Sequence, residues 1–392
     1  MRDVHRELTH WLEAAGAGVR IDAVGNLRAT YAAAVNATAV NTTDEAQEAR
    51  LVIGSHLDTV PNAGAYDGTL GVLLGLALLE SLDGRRLPYA IEIAGFSEEE
   101  GVRFGVPFIG SRALVGRIDS ELLNVRDAAG MTVAKAIEDF GLQLEAIGEA
   151  RVSSEAAGYL EFHIEQGPVL ESLALPLAVV DGIAGQTRLL LTFAGHANHA
   201  GTTPMNLRFD AMAGAAEWIT QVERAAKSTA GMVATVGSVE TKPGAGNVIA
   251  GEARLTLDVR HENNETRTKA VESLIAAAEE IARRRGLSVR WTAWLNQAAV
   301  AMDAAMVGYA EQALRAAGCE PHRMTSGAGH DAMIMAEKVP STMIFLRTPG
   351  GISHDPEESV AVEDVAKAIE CGVHLLEILA SAPTFQTRTC RV

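Results

Sequence analysis

Five short stretches of the sequence combine imidazole and carboxylate side chains in a way that suits metal-assisted hydrolysis. The candidate residues are His56 and Asp58 in GSHLDT, Asp67 in AYDG, Glu98 and Glu99 in SEEEG, His163 in EFHIEQGP, and His354 in GISHDPEE. Imidazoles and carboxylates together are donors that zinc, manganese, cobalt and nickel accept. Three histidines, one aspartate and one glutamate are too many ligands for one tetrahedral ion with an open position. The pattern therefore predicts two ions that share a carboxylate.

The first two stretches also predict how the ligands are held. His56 and Asp58 are two residues apart where a strand should end, so Asp58 can orient the His56 ring. Asp67 lies in a glycine-flanked loop and is the natural carboxylate to bridge two ions. Taken singly, HLD is usually a hydrogen-bonded pair and YDG is usually a turn. Their joint occurrence favours the metal site.

The run of three glutamates cannot act as one group. Adjacent residues of an extended chain point in opposite directions, so three side chains cannot all face one pair of ions. One glutamate should be a ligand, and a neighbour with a raised pKa should take and return a proton. We predict these roles for Glu98 and Glu99, and we predict that Glu100 is a solvated residue at the start of a helix.

The elements around these residues indicate a mainly parallel sheet. From Leu51 the pattern is a β-rich strand, a turn-rich loop and a buried helix from Thr69 to Leu82, after which YAIEIAGF predicts a second strand. Strands that alternate with helices form parallel sheets that are covered on both faces. Functional groups of such sheets gather beyond the carboxyl ends of the strands, where both polar clusters lie.

A second domain of a different type interrupts this pattern. From Ile183, GQTRLLLTFAG and GEARLTLDVRH alternate as half-exposed strands do, and two long segments between and after them have helical periodicity. We therefore predict an α/β domain of residues 1–182 and 296–392 and an inserted, smaller α+β domain of residues 183–295.

Three further elements are predicted outside the inserted domain. Helices are predicted from Met302 to Ala317 and from Val362 to Ala380, and residues 30–48 are predicted to form a surface loop or a loose hairpin.

Composition limits the class of protein. The chain has 392 residues, with 33 Lys plus Arg against 50 Asp plus Glu and a net charge of −17, which disfavours nucleic-acid or anionic membrane partners. The N-terminal segment lacks the apolar core of a signal peptide, and the longest apolar run is too short to span a bilayer. Cys319, Cys371 and Cys390 are odd in number and lack CxxC spacing, which favours the reducing cytoplasm.

Several motifs together resemble one known family. GSHLDTV, YDGTLG, FSEEEGVRFG, EFHIEQGPVLE, GHANHAGTTPM, GNVIAGEARLTLDVRH, SGAGHDAMIMA and GISHDPEE occur in order between about Arg20 and Val360. They resemble the hydantoinase/carbamoylase branch of the M20 metallopeptidase-like family. This branch includes N-carbamoyl-L-amino acid amidohydrolases, allantoate amidohydrolases and β-ureidopropionases.

The resemblance implies a fold and a set of metal ligands. It implies a parallel-sheet catalytic domain of the zinc-exopeptidase type, with two divalent ions, and an inserted domain that dimerises the protein. The implied ligands are His56, Asp67 as the bridge, Glu99, His163 and His354. Glu98 is then the general base. Zinc or manganese is expected, and cobalt or nickel fits the same donors.

The resemblance also implies residues that hold the substrate. His199 would stabilise the oxyanion, Asn247 and Arg260 would bind a substrate carboxylate, and Gln166 would line the pocket. Without the resemblance, Arg260 reads as an ion-paired strand end and His199 as a polar loop residue. Two further residues, His330 and Asp331 in SGAGHDA, would support the ligands from behind.

The expected activity is hydrolysis of a carbamoyl (ureido) C–N bond in a small carboxylate substrate by a homodimer. N-carbamoyl-L-α-amino acids are the first choice and allantoate is the alternative. A β-ureidopropionase, an aminoacylase or dipeptidase, and a catalytically silent binding relative rank lower. Ordinary M20 peptidases usually have a carboxylate in place of His163 and lack HIEQGP, which points away from peptides.

Overall fold

The structure, a computed structural model, describes residues 1–34 and 49–385. The first residues of the predicted loop at 30–48 belong to a strand that ends at Tyr31, and its part from residue 35 onward lies outside the described residues. None of the described helices combines the length and the apolar character that crossing a bilayer requires.

The described strands are, in chain order, β1 (Gly18–Ile21), β2 (Leu27–Tyr31), β3 (Arg50–His56), β4 (Ala90–Phe96), β5 (Ala156–Ile164), β6 (Leu177–Ile183), β7 (Gly185–Ala194), β8 (Asn198–His199), β9 (Val233–Thr235), β10 (Val239–Lys242), β11 (Val248–Ile249), β12 (Glu252–His261), β13 (Ser288–Gln297), β14 (Val300–Ala301), β15 (Arg323–Ser326) and β16 (Ser341–Leu346).

The described α-helices are α1 (Arg2–Ala14), α2 (Thr69–Ser81), α3 (Ile109–Leu114), α4 (Ser120–Asn124), α5 (Val133–Phe140), α6 (Val169–Leu173), α7 (Ala211–Ser228), α8 (Asn264–Arg285), α9 (Ala304–Ala316), α10 (Asp331–Met335) and α11 (Val362–Ala380). The three helices predicted from sequence in the larger domain are thereby confirmed as α2, α9 and α11.

The main sheet is mostly parallel at its centre. Its strand order is β1-β2-β4-β3-β5-β16-β6-β14, with β15 beside β6. The pairs β3–β4, β3–β5 and β5–β16 are parallel, whereas β1–β2, β2–β4, β6–β16 and β6–β14 are antiparallel. The predicted α/β class is therefore confirmed, and the carboxyl ends of β3, β4, β5 and β16 lie at one edge of the sheet.

Helix α2 packs closely against this sheet because two of its positions lack side chains. A Cβ at Gly71 would lie 2.2 Å from the carbonyl oxygen of Phe162, and a Cβ at Gly75 would lie 2.9 Å from Cδ1 of Ile93. Most other α2 residues are also buried. Glycine is therefore needed for this close approach, which fixes the loop preceding the helix against the ends of β3 and β5.

The chain forms two compact units, Met1–Asp181 with Met302–Val392, and Gly182–Ala301. The second unit has an antiparallel sheet in the order β10-β12-β7-β13, with β9 beside β12, and a separate pair of β8 and β11. Its core includes Phe193, Trp218 and Leu257, all buried. The unit extends past residue 295, the end predicted from sequence, because β13 continues to Gln297 and β14 pairs with β6.

Candidate metal centre

Most of the candidate metal ligands named from sequence meet at the carboxyl edge of the main sheet. His56 is the last residue of β3, and His163 lies one residue before the end of β5. The glutamates follow β4, and His354 lies in the segment after β16. Since these four strands are neighbours, their ends bring the side chains together.

Asp67 is at the centre of this cluster. Its Oδ1 atom lies 3.1 Å from Nε2 of His163 and 3.4 Å from Nε2 of His56. Its Oδ2 atom lies 3.1 Å from Nε2 of His354, and Glu100 Oε1 lies 3.6 Å from the same nitrogen. The two oxygens of Asp67 therefore face two different groups of side chains.

Backbone carbonyls determine which nitrogen of each buried imidazole carries a proton. Nδ1 of His56 lies 2.8 Å from the carbonyl oxygen of Asp58, and Nδ1 of His163 lies 2.9 Å from that of Ile164. A carbonyl oxygen can only accept, so each Nδ1 must donate. When the rings are neutral, their Nε2 lone pairs are directed toward Asp67, and the two Nε2 atoms lie 3.3 Å apart.

The cluster thus contains several acceptors and lacks the donors that would satisfy them. Oδ1 of Asp67 and Oε1 of Glu100 are buried and have no hydrogen-bond partner among the described residues. A buried acceptor without a donor is costly, and a cation satisfies several acceptors at once. Two groups, His56 with Asp67 and His163, and Asp67 with Glu100 and His354, offer ligand atoms within 4.8 Å of one another. These residues fit divalent metal binding, in agreement with the sequence analysis.

The position that follows Asp67 must be glycine, because it lies against the ring of His56. Gly68 has φ 68°, and a Cβ there would lie 2.3 Å from the ring of His56. The turn that presents Asp67 and the ring that faces it therefore fit together only without a side chain at position 68.

The structure places the three glutamates differently from the sequence-based expectation. Glu98 has φ 55°, and its side chain lines a cavity with Val24, Phe104 and other apolar residues. Glu99 is buried, and Glu100 is largely buried with its carboxylate near His354. The prediction that Glu100 is a solvated residue at a helix start is wrong, because the segment forms a bend that turns this carboxylate toward the histidines.

Among the described residues, the groups of convergent ligand atoms include Glu99 and Glu100 and do not include Glu98. Position in the run alone therefore did not indicate which two glutamates approach the cluster.

The carboxylate of Asp58 binds the backbone of the glutamate segment and does not contact the His56 ring. Its Oδ1 accepts a hydrogen bond from the backbone N–H of Glu99 at 3.0 Å, and its Oδ2 accepts one from that of Glu100 at 3.1 Å. The group that contacts His56 Nδ1 is the backbone carbonyl of Asp58, not its carboxylate. Asp58 therefore links the end of β3 to the segment after β4.

Glu358 holds the Asp67 loop and was not singled out from sequence. Its Oε1 accepts hydrogen bonds from the backbone N–H groups of Tyr66 and Asp67, each at 3.0 Å. Its Oε2 accepts one from Ser353 Oγ at 3.3 Å. Its place in GISHDPEE, close to His354, was the available signal.

Gln166 also contacts the cluster directly. Its side-chain amide donates to Oδ2 of Asp67 at 2.9 Å and to Oγ of Ser353 at 3.2 Å. The predicted pocket residue therefore lies against the central carboxylate.

The remaining predicted residues on this side lie beneath the ligands. The ring of His330 packs edge-on against His163 with centroids 4.4 Å apart, and its Nε2 lies 2.9 Å from Ser326 Oγ. Asp331 is fully buried. Glu161, which was also not predicted, accepts hydrogen bonds from Tyr159 Oη at 3.0 Å and from the backbone N–H of Ala332 at 2.8 Å. A glutamate within the apolar run YLEFHI was the signal for it.

Burial and crowding shift the protonation of the carboxyl groups. Burial, together with the nearby carboxylate of Asp331, raises the pKa of Glu99 well above its ordinary value. Burial and then the carboxylate of Asp67 raise the pKa of Glu100. Burial also acts on Asp67, but when His163 and His56 are protonated, their Nε2–H donors and positive charges outweigh it and lower the pKa of Asp67. A carboxylate is therefore retained at the centre, whereas Glu99 is suited to accept a proton.

The predicted substrate residues lie in the 182–301 unit. His199 is paired with Val248 between β8 and β11, and the backbone N–H of Ala200 donates to the carbonyl oxygen of Asn247 at 2.9 Å. Both His199 and Asn247 have exposed side chains. Arg260 donates through Nε and Nη2 to the two carboxylate oxygens of Asp258, at 3.1 and 2.9 Å. In this unit the turn that follows His199 is therefore hydrogen-bonded to Asn247, and Arg260 has a carboxylate partner in the same chain.

A mostly parallel sheet whose carboxyl edge gathers buried imidazoles and carboxylates, with oxygens that lack donors, is the arrangement that a metal-dependent hydrolase needs. Residues 52–378 match peptidase family M20/M25/M40. The chain belongs to this family.

Relatives with named activities are similar over most of the chain. It is 40% identical over 391 residues to a protein named probable allantoate deiminase of Oryza sativa subsp. japonica, covering 91% of this chain and 78% of that protein. It is 39% identical over 333 residues to the N-carbamoyl-L-amino acid amidohydrolase of Geobacillus stearothermophilus, covering 84% and 81%. The predicted reaction class, a metal-dependent amidohydrolase acting on C–N bonds, is confirmed.

A solved structure has the same fold. The crystal structure of an amidase of the hydantoinase/carbamoylase family from Burkholderia multivorans superposes with a TM-score of 0.87 at 31% identity, covering 96% of this chain and 88% of that one. The resemblance to this branch of the family is therefore confirmed.

Proposed function

We propose that the protein cleaves the carbamoyl C–N bond of N-carbamoyl-L-α-amino acids, with allantoate as the alternative substrate. The observation that carries the proposal is the set of acceptors around Asp67, two of which are buried without a donor. The similarity to relatives named for both substrates supports the ureido class. Both substrates present a carboxylate one carbon from a ureido nitrogen, so one set of binding residues serves either.

Two divalent ions fit the two groups of ligands. His56, Asp67 and His163 would hold one ion, and Asp67, Glu100 and His354 would hold the other. Zinc or manganese suits this mixture of nitrogen and oxygen donors, as do cobalt and nickel. When bound, such ions polarise a substrate carbonyl and make water more acidic.

We assign the general base to Glu99 and the glutamate ligand to Glu100, in place of the sequence-based assignment to Glu98 and Glu99. Glu100 has a buried oxygen without a donor that lies beside His354. Glu99 is buried, its pKa is raised, and its backbone is fixed by Asp58. Glu99 would take a proton from the attacking water and return it to the leaving nitrogen. Ammonia then departs, and the remaining carbamate loses carbon dioxide.

Polar groups of the chain would orient the substrate. The Gln166 amide lies beside Asp67, and its carbonyl oxygen can accept a hydrogen bond from a ureido N–H of the substrate. We propose that Arg260 and Asn247 hold the substrate carboxylate and that His199 donates a hydrogen bond to the developing oxyanion. Arg260 is already aligned by its two hydrogen bonds to Asp258, which reduces the entropy lost when it binds a carboxylate.

The test of the substrate is ammonia release by the manganese- or zinc-loaded protein. It should be assayed in parallel on N-carbamoyl-L-amino acids, allantoate, N-carbamoyl-β-alanine, an N-acetyl amino acid and a dipeptide. We expect the N-carbamoyl-L-amino acids to give the highest kcat/KM. A higher value for allantoate selects the alternative, and faster cleavage of the dipeptide or the acetyl compound would refute the ureido assignment.

The glutamate roles are tested by three matched variants, Glu98→Gln, Glu99→Gln and Glu100→Gln. We expect Glu99→Gln to lower kcat by roughly 10²- to 10⁴-fold while both ions are retained. Glu100→Gln should lower the metal content measured by elemental analysis, whereas Glu98→Gln should change neither quantity. Loss of activity with retained metal in Glu98→Gln alone would restore the sequence-based assignment.

We also propose that a second copy of the chain covers the exposed edge of the 182–301 unit. Strand β13 is the last strand of its sheet, and Trp291 and Trp294 on it are 45% and 55% exposed. An open edge with large apolar side chains is a site for pairing with another strand. Light scattering should give about twice 41.3 kDa for the protein, the monomer mass for Trp294→Lys, and the dimer mass for the control Trp11→Lys. A monomeric parent protein would exclude the homodimer.

A further inference from the structure

Arg208 lies beside the turn that carries His199 and donates hydrogen bonds to two carbonyls of that turn. Its Nε lies 3.0 Å from the carbonyl oxygen of Thr203, and its Nη2 lies 2.6 Å from that of Ala200. The side chain is half-buried. Both of these hydrogen bonds go to the backbone rather than to a carboxylate, so the guanidinium holds the two ends of one short segment.

The same turn sets the tautomer of His199. The backbone N–H of Gly201 donates to His199 Nδ1 at 3.0 Å. Because a backbone N–H can only donate, Nδ1 must be the accepting nitrogen, and the proton of the neutral ring is therefore on Nε2. His199 is exposed, so this Nε2–H is available to a ligand.

The turn is compact enough to fix the ring. A Cβ at position 201 would lie 3.2 Å from Cε1 of His199, so the ring packs closely over a residue without a side chain. Thr203 closes the turn, because its Oγ1 donates to the carbonyl oxygen of His199 at 2.8 Å. The turn is tied to the next segment by the hydrogen bond from Ala200 N–H to the carbonyl oxygen of Asn247.

We propose that Arg208 is a positioning residue for catalysis. By holding the carbonyls of Ala200 and Thr203, it maintains the turn in which Gly201 N–H binds His199 Nδ1, so that Nε2–H is presented as the hydrogen-bond donor. The inference rests on the proposed role of His199 at the oxyanion. A donor that is already oriented stabilises a developing negative charge more than one that must reorganise.

A purely structural role for Arg208 makes a different prediction. The carbonyls of Ala200 and Thr203 belong to half-buried residues outside the core formed by Phe193 and Trp218. Water can satisfy such carbonyls, so loss of the guanidinium should cost little stability. The effect of Arg208 should therefore be visible in turnover rather than in the free energy of unfolding.

The first test compares Arg208→Met with the control Arg283→Met, both in the metal-loaded protein. Methionine keeps an apolar stem without the donors, and Arg283 forms an exposed ion pair with Glu280 on α8. We expect Arg208→Met to lower kcat by roughly 10- to 100-fold, the range that displacement of a catalytic group by about 1 Å produces. KM and Tm should change little, and the control should match the parent. A loss of Tm with unchanged kcat would overturn the proposal.

The second test combines Arg208→Met with His199→Ala. His199→Ala alone should lower kcat by roughly 10²- to 10³-fold, as loss of an oxyanion donor does. If Arg208 acts through His199, Arg208→Met should cause no further loss in this background. An equal loss in both backgrounds would contradict the positioning role.

A third measurement separates this inference from the proposed function. In protein with ¹⁵N-labelled histidine rings, the His199 signals should report Nε2–H in the parent and in Arg283→Met, and a mixture of tautomers in Arg208→Met. An unchanged His199 spectrum in Arg208→Met overturns the positioning role regardless of activity. If His199→Ala leaves kcat unchanged, the oxyanion role of His199 fails, and the ring spectrum alone decides whether Arg208 sets the tautomer.

Discussion

Charged groups are arranged in opposite ways in the two units of the chain. At the carboxyl edge of the main sheet, Asp67 and Glu100 each have a buried oxygen without a donor. In the 182–301 unit, Asp258 accepts hydrogen bonds from Arg188 and from Arg260. The first arrangement, the incomplete cluster, leaves acceptor oxygens that cations from solution can pair. In the second, the complete cluster, the carboxylate is already paired with two arginines of the chain.

The pKa values follow the same division. Burial and a neighbouring carboxylate raise the pKa of Glu100. Asp258 is also subject to burial, but Arg260 and Arg188 outweigh it and lower the pKa of Asp258. Both carboxyl groups are buried to some extent, so the charge of the neighbouring side chains, more than burial, decides whether the pKa rises or falls.

Among the predictions that test this contrast, the largest effect is expected from substitution of Glu358, which binds the backbone of the Asp67 loop in the incomplete cluster. Glu358→Ala leaves the N–H groups of Tyr66 and Asp67 without their acceptor and should release the Asp67 loop. We expect metal affinity to fall roughly 10- to 100-fold, as for other residues that orient ligands. Competition with a metal indicator measures this affinity.

The matched control is Glu358→Gln, which keeps an acceptor oxygen at the same position. It should stay within a few-fold of the parent affinity. Equal metal affinity for Glu358→Ala and the parent would show that the loop is held by other contacts.

A smaller effect is expected at the complete cluster, and it should depend on pH. Because the folded protein lowers the pKa of Asp258, this group contributes stability above its unfolded pKa of about 3.9 and loses it as pH falls through the lowered folded value. Asp258→Asn should lower Tm by roughly 2 °C at pH 7, since solvent screening limits the effect. The difference from the parent should shrink below about pH 4.

Thermal melts between pH 3 and 8 measure this difference. Asp139→Asn, which removes an exposed pair with Lys135, is the control and should leave Tm unchanged. A constant difference for Asp258→Asn across this range would mean that packing, not charge, is lost.

The sequence was sufficient for the elements and for most of the cluster. Alternation and helical periodicity depend on neighbours in the chain, so the strand ends at His56 and His163 and the helix from Thr69 could be inferred locally. The three glutamates could not be ordered in this way. The rule that neighbours point in opposite directions holds for an extended chain, and the positive φ of Glu98 breaks it.

Contacts between segments that are distant in the sequence also could not be predicted from local sequence patterns. Glu358 reaches the Asp67 loop across most of the chain, and no local periodicity indicates such a partner. By contrast, the pairing of Arg260 with Asp258 is visible in LDVRH, because residues i and i+2 of a strand share a face.

The short pairing of β14 with β6 has a consequence for folding. Val300 lies opposite Ile183 and Ala301 opposite Gly182, so the inserted unit begins and ends at one place. In an unfolded insertion of this length, bringing these ends together would cost about 4 kcal/mol of chain entropy. Once the insertion has folded around its own core, its two ends are held next to each other, so the flanking segments are connected as closely as by a tight turn. We therefore expect the insertion to fold early. The contacts between residues on either side of it then have a short effective separation along the chain, so the larger unit can fold almost as fast as one without an insertion.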